Sequence, residues 1–185
     1  MELGPLIMLV VGLFAGVVLM RLAAALARYA GKRVITCPET HRPAGVTVDA
    51  RHAALSGLAL HPDLRLSDCS RWPERAGCGQ ECLAEIKVAP ADCLVRNILV
   101  KWYEGKQCCS CGRPIGSIVQ GGAQPAVRTA DQVSVEWSEI PAERLQEILS
   151  AAEPVCFACH MASRMVREHP ELVTDRSART DHPGR

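Results

Sequence analysis

An uncharged apolar run at the start of the chain is the feature that most restricts how the chain can fold. The run extends from Leu3 to Met20, eighteen residues without a charged side chain. At about 1.5 Å per residue, a helix of this length measures about 27 Å, which is close to the hydrocarbon thickness of a bilayer. After Arg21, the apolar pattern continues from Leu22 to Ala27. We therefore expect residues 3–27 to form a single transmembrane helix.

The residues on either side of this run predict an uncleaved anchor and its orientation. A secretory signal peptide begins with basic residues, whereas only Met1 and Glu2 precede the run. The basic residues follow the run instead, at Arg21, Arg28, Lys32 and Arg33. Because basic flanks stay in the cytoplasm, we expect residues 1–33 to be a single-pass anchor with its N-terminus outside and the remaining chain in the cytoplasm.

The cysteine content predicts how the rest of the chain is stabilised. Ten cysteines occur among 185 residues, but aromatic residues make up only 4%. A small chain with few large rings and many cysteines usually depends on metal ions or disulfides. Cytoplasmic thiols remain reduced, so the predicted orientation favours metal ligands. The net charge is only +1 and no basic block is present, so we expect no nucleic-acid partner.

Two CxxC pairs give the strongest chemical signal. We call Cys108, Cys111, Cys156 and Cys159 the distal quartet. Two thiolates with two residues between them can chelate one tetrahedral ion, and a second pair completes a four-sulfur zinc site. Gly112 follows the second cysteine, where it allows a tight turn with backbone amides facing sulfur. The sequence therefore predicts zinc bound by the distal quartet.

The order of elements around the distal quartet resembles a treble-clef or zinc-ribbon-like module, over residues 106–169 only. A cysteine turn is followed by a predicted hairpin, formed by Ile118-Val119 and by the alternating Val133, Val135 and Trp137. A helix then supplies the last two ligands. The resemblance implies an α+β domain held by a closed zinc site. Such a site has no open position for water, so it favours a scaffold or regulatory role through a protein partner over an enzyme.

A rival interpretation uses the same residues. The segment Cys156-Phe157-Ala158-Cys159-His160 matches the CxxCH signature of c-type haem, with His160 as axial ligand. Haem of this type is attached outside the cytoplasm, which conflicts with the predicted orientation. An electron carrier with haem c or an iron–sulfur cluster stays the alternative function. A four-thiolate zinc site does not need His160, so the sequence predicts that His160→Ala leaves folding nearly unchanged.

The zinc frame also resembles that of HNH-type nucleases, which implies a catalytic histidine on the hairpin. Residues 112–137 contain no histidine, so the resemblance does not extend to the active site. We therefore assign no catalytic residues.

A second group of cysteines precedes the first CxxC pair. We call Cys37, Cys69, Cys78 and Cys82 the proximal quartet. If a helix runs from Cys78 to Val88, Cys78 and Cys82 lie on one helical face and form a workable chelate. Cys37 in a turn and Cys69 in a loop are free to complete a second metal site. The alternative is that these cysteines are buried as small apolar residues.

Local patterns predict the other elements and the domain limits. Residues 34–105 are expected to form a cysteine-containing α+β subdomain, residues 106–173 the metal-binding module, and residues 174–185 a disordered tail. A face of Phe157, Met161 and Met165 on the last helix is expected in the core. Asp49 is expected to cap a helix that ends at Leu60. The remaining expected elements are strands at Val34–Thr36 and Val46–Val48, a turn-rich segment at 63–77, and helices from Cys78 to Val88, after Asp92 and from Ser138.

Overall fold

The computed structural model describes residues 3–59, 62–75, 77–116, 118 and 122–172. These residues mix helix and sheet, as the sequence predicts. The chain divides into two compact units: unit 1 comprises residues 1–102 and 141–146, and unit 2 comprises residues 103–140 and 147–185. The predicted tail at 174–185 lies outside the described residues, and the predicted domain limits stay a prediction.

The first helix, α1, spans Leu3–Tyr29. In the described part of the chain, it is the one helix long and apolar enough to cross a membrane. It ends where Gly31 adopts a φ of +95°. The Arg33 guanidinium turns back onto the helix end and donates to the carbonyl oxygens of Arg28 at 2.6 Å and Tyr29 at 2.7 Å. Arg33 is 0% exposed, so it is a helix cap and not a surface charge.

Unit 1 contains an antiparallel sheet in the order β1-β2-β3. The first two strands confirm the sequence expectation and are longer than predicted, with β1 at Lys32–Thr36 and β2 at Pro43–Val48. The third strand, β3, spans Leu66–Cys69 within the segment expected to be turn-rich. Its pairing with β2 places Cys69 opposite Val46.

The helices of unit 1 correct one site prediction. The Asp49 side chain caps α2, Ala50–Ser56, and a 3-10 turn follows at Gly57–Ala59; the predicted end at Leu60 lies outside the described residues. Helix α3 spans only Leu83–Val88, so the expected helix from Cys78 is wrong. Gln80 has a φ of +55°, which is incompatible with a helix continuing through it. Cys78 and Cys82 therefore do not share a helical face. Helix α4 spans Val95–Tyr103.

Unit 2 contains a second antiparallel sheet, in the order β5-β4-β6. The strands are β4 at Ala126–Arg128, β5 at Ser134–Val135 and β6 at Glu153–Val155. The hairpin is present, but its first strand is β4, not Ile118-Val119; Ile118 lies outside any strand and Val119 outside the described residues.

The helices that follow the hairpin differ from the sequence expectation. The predicted helix from Ser138 is wrong, because Pro141 forces Ile140 into extended backbone with a ψ of 119°. Two 3-10 turns at Trp137–Glu139 and Ala142–Arg144 precede α5, Leu145–Ala151.

The last α-helix, α6, spans Phe157–Glu168 and presents a different face to the interior than expected. Phe157 is 44% exposed and Met165 is 47% exposed, so the predicted core role of this apolar face is wrong. His160 is instead the buried residue of the helix. The polar side chain, and not the apolar face, anchors α6 in unit 2.

Candidate metal centre

A tight turn positions the first two cysteines of the distal quartet. We call residues 108–113 the Cys108 turn. The backbone N–H of Cys108 donates to the carbonyl of Arg113 at 2.9 Å. The N–H of Gly112 donates back to the carbonyl of Cys108 at 2.9 Å. Gly112 has a φ of +70°, a conformation that glycine adopts without steric cost. The glycine after the second cysteine therefore closes the turn, as the sequence predicts.

Strand β6 and helix α6 bring the second pair to this turn. The N–H of Cys109 donates to the carbonyl of Pro154 at 2.9 Å, which joins the turn to β6. Cys156 is the N-cap residue of α6 and has extended backbone, and Cys159 lies in the first helical turn. The N–H of Cys156 donates to the Cys108 Sγ at 3.3 Å. The partial positive charge of the helix N-terminus also favours thiolates at these two positions.

The four sulfur atoms of the distal quartet form one compact group. Their Sγ atoms all lie within 4.8 Å of one another. The Sγ atoms of Cys111 and Cys156 are 3.8 Å apart. A Zn–S bond of about 2.3 Å in tetrahedral geometry requires about 3.8 Å between sulfurs, so this separation already suits a single ion. The prediction that the two CxxC pairs meet is confirmed: the four cysteines lie close enough to hold one metal ion.

The electrostatics of the group explain why it suits a cation. Burial raises the pKa of Cys108, but backbone N–H groups that donate to its sulfur bring that pKa down to about 6. These N–H groups belong to Cys156, Cys111 and Ser110. Hydrogen bonding with Cys156, and then with Cys111, raises the pKa of Cys159 to about 12. One thiolate is thus stabilised by the backbone, whereas ionising all four thiols requires a bound positive charge.

His160 directly follows Cys159 in α6, and its buried side chain joins this helix to other parts of unit 2. The imidazole is 3% exposed, and its Nδ1 lies 3.0 Å from the hydroxyl oxygen of Ser134 on β5. Its Nε2 has no hydrogen-bond partner among the described residues and lies 3.7 Å from the Glu136 carboxylate, which accepts a hydrogen bond from Arg164 at 3.1 Å. These contacts join α6 to the sheet. Sequence reasoning missed Ser134, Glu136 and Arg164, because nothing in the local pattern relates them to the cysteines.

The proximal quartet lies in unit 1, around one cavity of about 120 Å³. Cys69 and Cys82 are buried, and Cys37 and Cys78 are partly buried. Among the described residues, only the distal quartet has its sulfurs within 4.8 Å of one another.

Two further cysteines belong to neither quartet. Cys93 is buried and donates weakly to the carbonyls of Ala89 and Pro90. Cys109 is exposed. Both positions serve as natural controls for substitutions at the two quartets.

A hairpin and a helix follow the Cys108 turn in unit 2. The Cys108 turn is followed by the β4–β5 hairpin and by α6, with β6 added as a third strand. Tyr103 donates to the carbonyl of Ala126 at 2.7 Å and stacks on Trp137 at 5.7 Å, which fixes the hairpin. No protein-family model matches the chain, and no curated protein or solved structure is significantly similar to it.

Proposed function

We propose that the protein is a membrane-anchored, zinc-binding scaffold that faces the cytoplasm and acts through a protein partner. The observation that carries the proposal is the 3.8 Å separation of the Cys111 and Cys156 sulfurs within a group of four. Four thiolates fill the tetrahedral coordination of zinc and leave no position for a reacting water. The ion then serves stability: it joins the Cys108 turn to the start of α6.

The surface of α6 supports a role in binding another protein. Phe157, Met165 and Val166 remain exposed on a helix whose position the zinc site would fix. Exposed apolar side chains on a rigid element are typical of interaction surfaces. A metal-stabilised module of this kind presents a surface without needing a large core.

The residues at the C-terminal end of α1 support attachment to a membrane. Arg21, Arg28 and Tyr29 line a groove together with residues of α2 and the following 3-10 turn. Leu55 and Leu58 on these two elements are exposed. Apolar and basic side chains side by side at the end of an apolar helix suit the interface between hydrocarbon and headgroups.

An electron carrier is the second candidate, because four thiolates also bind iron. A multi-iron cluster places its own iron and sulfide atoms between the cysteine sulfurs and holds them further apart than a single ion does. Covalent haem would withdraw Cys156 and Cys159 from Cys108 and Cys111, and would require the buried His160 ring to face iron. The compact sulfur group therefore favours a single ion.

Metal analysis of the purified full-length protein tests the assignment. We expect a colourless protein that contains zinc, and we expect Cys111→Ser and Cys159→Ser each to remove one equivalent. Cys109→Ser is the matched control, since Cys109 lies between the ligands but is exposed, and it should retain all zinc. Full zinc in both ligand variants, or visible absorption by haem or iron–sulfur in the wild type, would overturn the zinc proposal.

Reporter fusions test the orientation. A reporter fused after Arg185 should behave as cytoplasmic, because the basic residues follow the uncharged run Leu3–Met20. Activity of a reporter that functions only outside the cytoplasm, at the same position, would contradict this orientation and favour the haem alternative.

A further inference from the structure

The turn that contains Cys37 has the same backbone hydrogen bonds as the Cys108 turn. The N–H of Cys37 donates to the carbonyl of Arg42 at 2.9 Å, and the N–H of His41 donates to the carbonyl of Cys37 at 2.8 Å. The residue pairs have the same spacing as those in the Cys108 turn. His41 has a φ of +51°, at the position where the Cys108 turn has its glycine. Histidine is one of the few non-glycine residues that adopt this conformation, so the two turns agree in backbone angle as well as in hydrogen bonds.

The Cys37 turn also directs hydrogen-bond donors at sulfur. The Thr40 hydroxyl, and after it the backbone N–H groups of Thr40 and Glu39, lower the pKa of Cys37. In the Cys108 turn, the donors at the same two positions are the N–H groups of Ser110 and Cys111. Thr40 therefore occupies the place of the second cysteine, and the Cys37 turn directs its hydrogen-bond donors at a single sulfur.

The other three cysteines of the proximal quartet surround the same cavity. Cys69 ends β3, and Cys82 is the N-cap residue of α3, as Cys156 is of α6. Cys69 and Cys82 belong to one buried apolar cluster, and Cys37 packs against that cluster. All four cysteines line the same cavity, so a cation placed there would lie among four thiol groups.

The charged residues around the cavity do not supply that cation. Arg71 and Arg75 line it, but Glu39 and Glu81 line it as well. Arg75 lies 3.6 Å from Glu39, so these two charges offset each other. Four ionised thiols would require an added positive ion for their compensation.

From these observations we propose that the proximal quartet binds a second soft divalent metal ion of the zinc type in the cavity of unit 1. The proposed function requires only the distal site, so this second site is independent of it. Binding replaces four S–H bonds by four metal–sulfur bonds and releases four protons to solvent. The sulfurs must move to about 3.8 Å from one another, and the partly exposed loop residues Cys37 and Cys78 can move most easily.

Zinc stoichiometry of the purified full-length protein tests the second site. We expect two zinc ions per chain in the wild type and one in either Cys82→Ser or Cys37→Ser. Cys37→Ser affects a partly exposed residue and keeps the test valid if Cys82→Ser fails to fold. Cys93→Ser is the matched control: it alters a buried cysteine of the same unit that does not line the cavity, and it should retain two.

Substitutions at the distal quartet separate this proposal from the previous one. Cys111→Ser should retain one zinc ion, held by the proximal quartet. A wild type with one zinc ion, lost in Cys111→Ser and kept in Cys37→Ser, would overturn the second site and leave the distal site standing. One zinc ion lost in Cys37→Ser and kept in Cys111→Ser would overturn the distal site alone. Zinc absent from every protein would overturn both.

Discussion

Replacing His160 with alanine tests whether the buried imidazole supports the metal centre without binding the ion. Ser134 is itself buried, so His160→Ala leaves its hydroxyl without the ring nitrogen at 3.0 Å. An unsatisfied buried polar group costs about 1–3 kcal/mol. A residual cavity on the order of 60 Å³ adds about 1.4 kcal/mol at about 24 cal/mol per Å³. Alanine has a better helix propensity than histidine, which stabilises the variant by roughly a few tenths of a kcal/mol. The free energy of unfolding of unit 2 should fall by about 2–4 kcal/mol.

The measurement must separate stability from metal affinity, because zinc stabilises the folded state by mass action. Unfolding in urea should therefore be monitored through the release of zinc to a chromogenic chelator, with the free zinc concentration held fixed. Wild type, His160→Ala, Ser134→Ala and the double variant form a cycle whose coupling energy should be about 1 kcal/mol. His169→Ala is the matched control: His169 is the exposed C-cap residue of the same helix, and its loss should cost less than about 0.5 kcal/mol.

Two results would refute this reasoning. The first is a free energy of unfolding of His160→Ala within about 0.5 kcal/mol of the wild type, without coupling to Ser134, which would show that the imidazole does not stabilise unit 2. Loss of one zinc equivalent with little change in the stability of the metal-free protein would show that His160 is a ligand. The structure thus replaces the expectation, drawn from the sequence, that His160→Ala is nearly neutral.

Two more substitutions test the cap of α1 and the glycine of the Cys108 turn. Arg33→Met should lower the free energy of unfolding of unit 1 by about 3–6 kcal/mol, since the two charge-assisted bonds to the Arg28 and Tyr29 carbonyls are each worth about 1.5–3 kcal/mol. Chemical unfolding in detergent checks this, and an unchanged midpoint would contradict the capping role. Gly112→Ala should cost about 1–2 kcal/mol and weaken zinc binding roughly tenfold, because alanine is strained at a φ of +70°. Competition with a zinc chelator measures the affinity, and Gly116→Ala, where a Cβ meets nothing within 4 Å, should leave it unchanged.

The sequence predicted those features that depend on short-range signals. The spacing of the CxxC pairs, the glycine of the Cys108 turn and the Asp49 cap each act within a few residues, and the structure contains all three. The alternation of Val46, Thr47 and Val48 in β2 is also local. Where a local signal was overlooked, the prediction was wrong: Gly77 and Gly79 precede the true start of α3 at Leu83, and glycines are a known warning against a helix.

The elements that the sequence did not predict depend on pairing over long distances. Strand β6 contains Pro154, which lacks the N–H that a strand interior normally uses. The strand is nevertheless stable, because it lies at the edge of the sheet and pairs only with β4. Its partner β4 is more than two dozen residues away in the chain, so no local sequence pattern predicts the pairing. Strand β3 is a similar case, since its place beside β2 follows from burial of Leu66 and Cys69.

Arg33 shows how a buried polar residue changes an argument made from composition. Counted as one of four basic residues after the apolar run, it contributed to the predicted orientation. In the structure, the Arg33 guanidinium donates hydrogen bonds to the carbonyls at the end of α1. The side chain is 0% exposed, so a lipid headgroup cannot contact it. The orientation then rests on Arg21, Arg28 and Lys32. Three basic residues after the uncharged run Leu3–Met20, against none before it, still favour the same orientation, because the positive-inside preference depends on the difference between the two flanks.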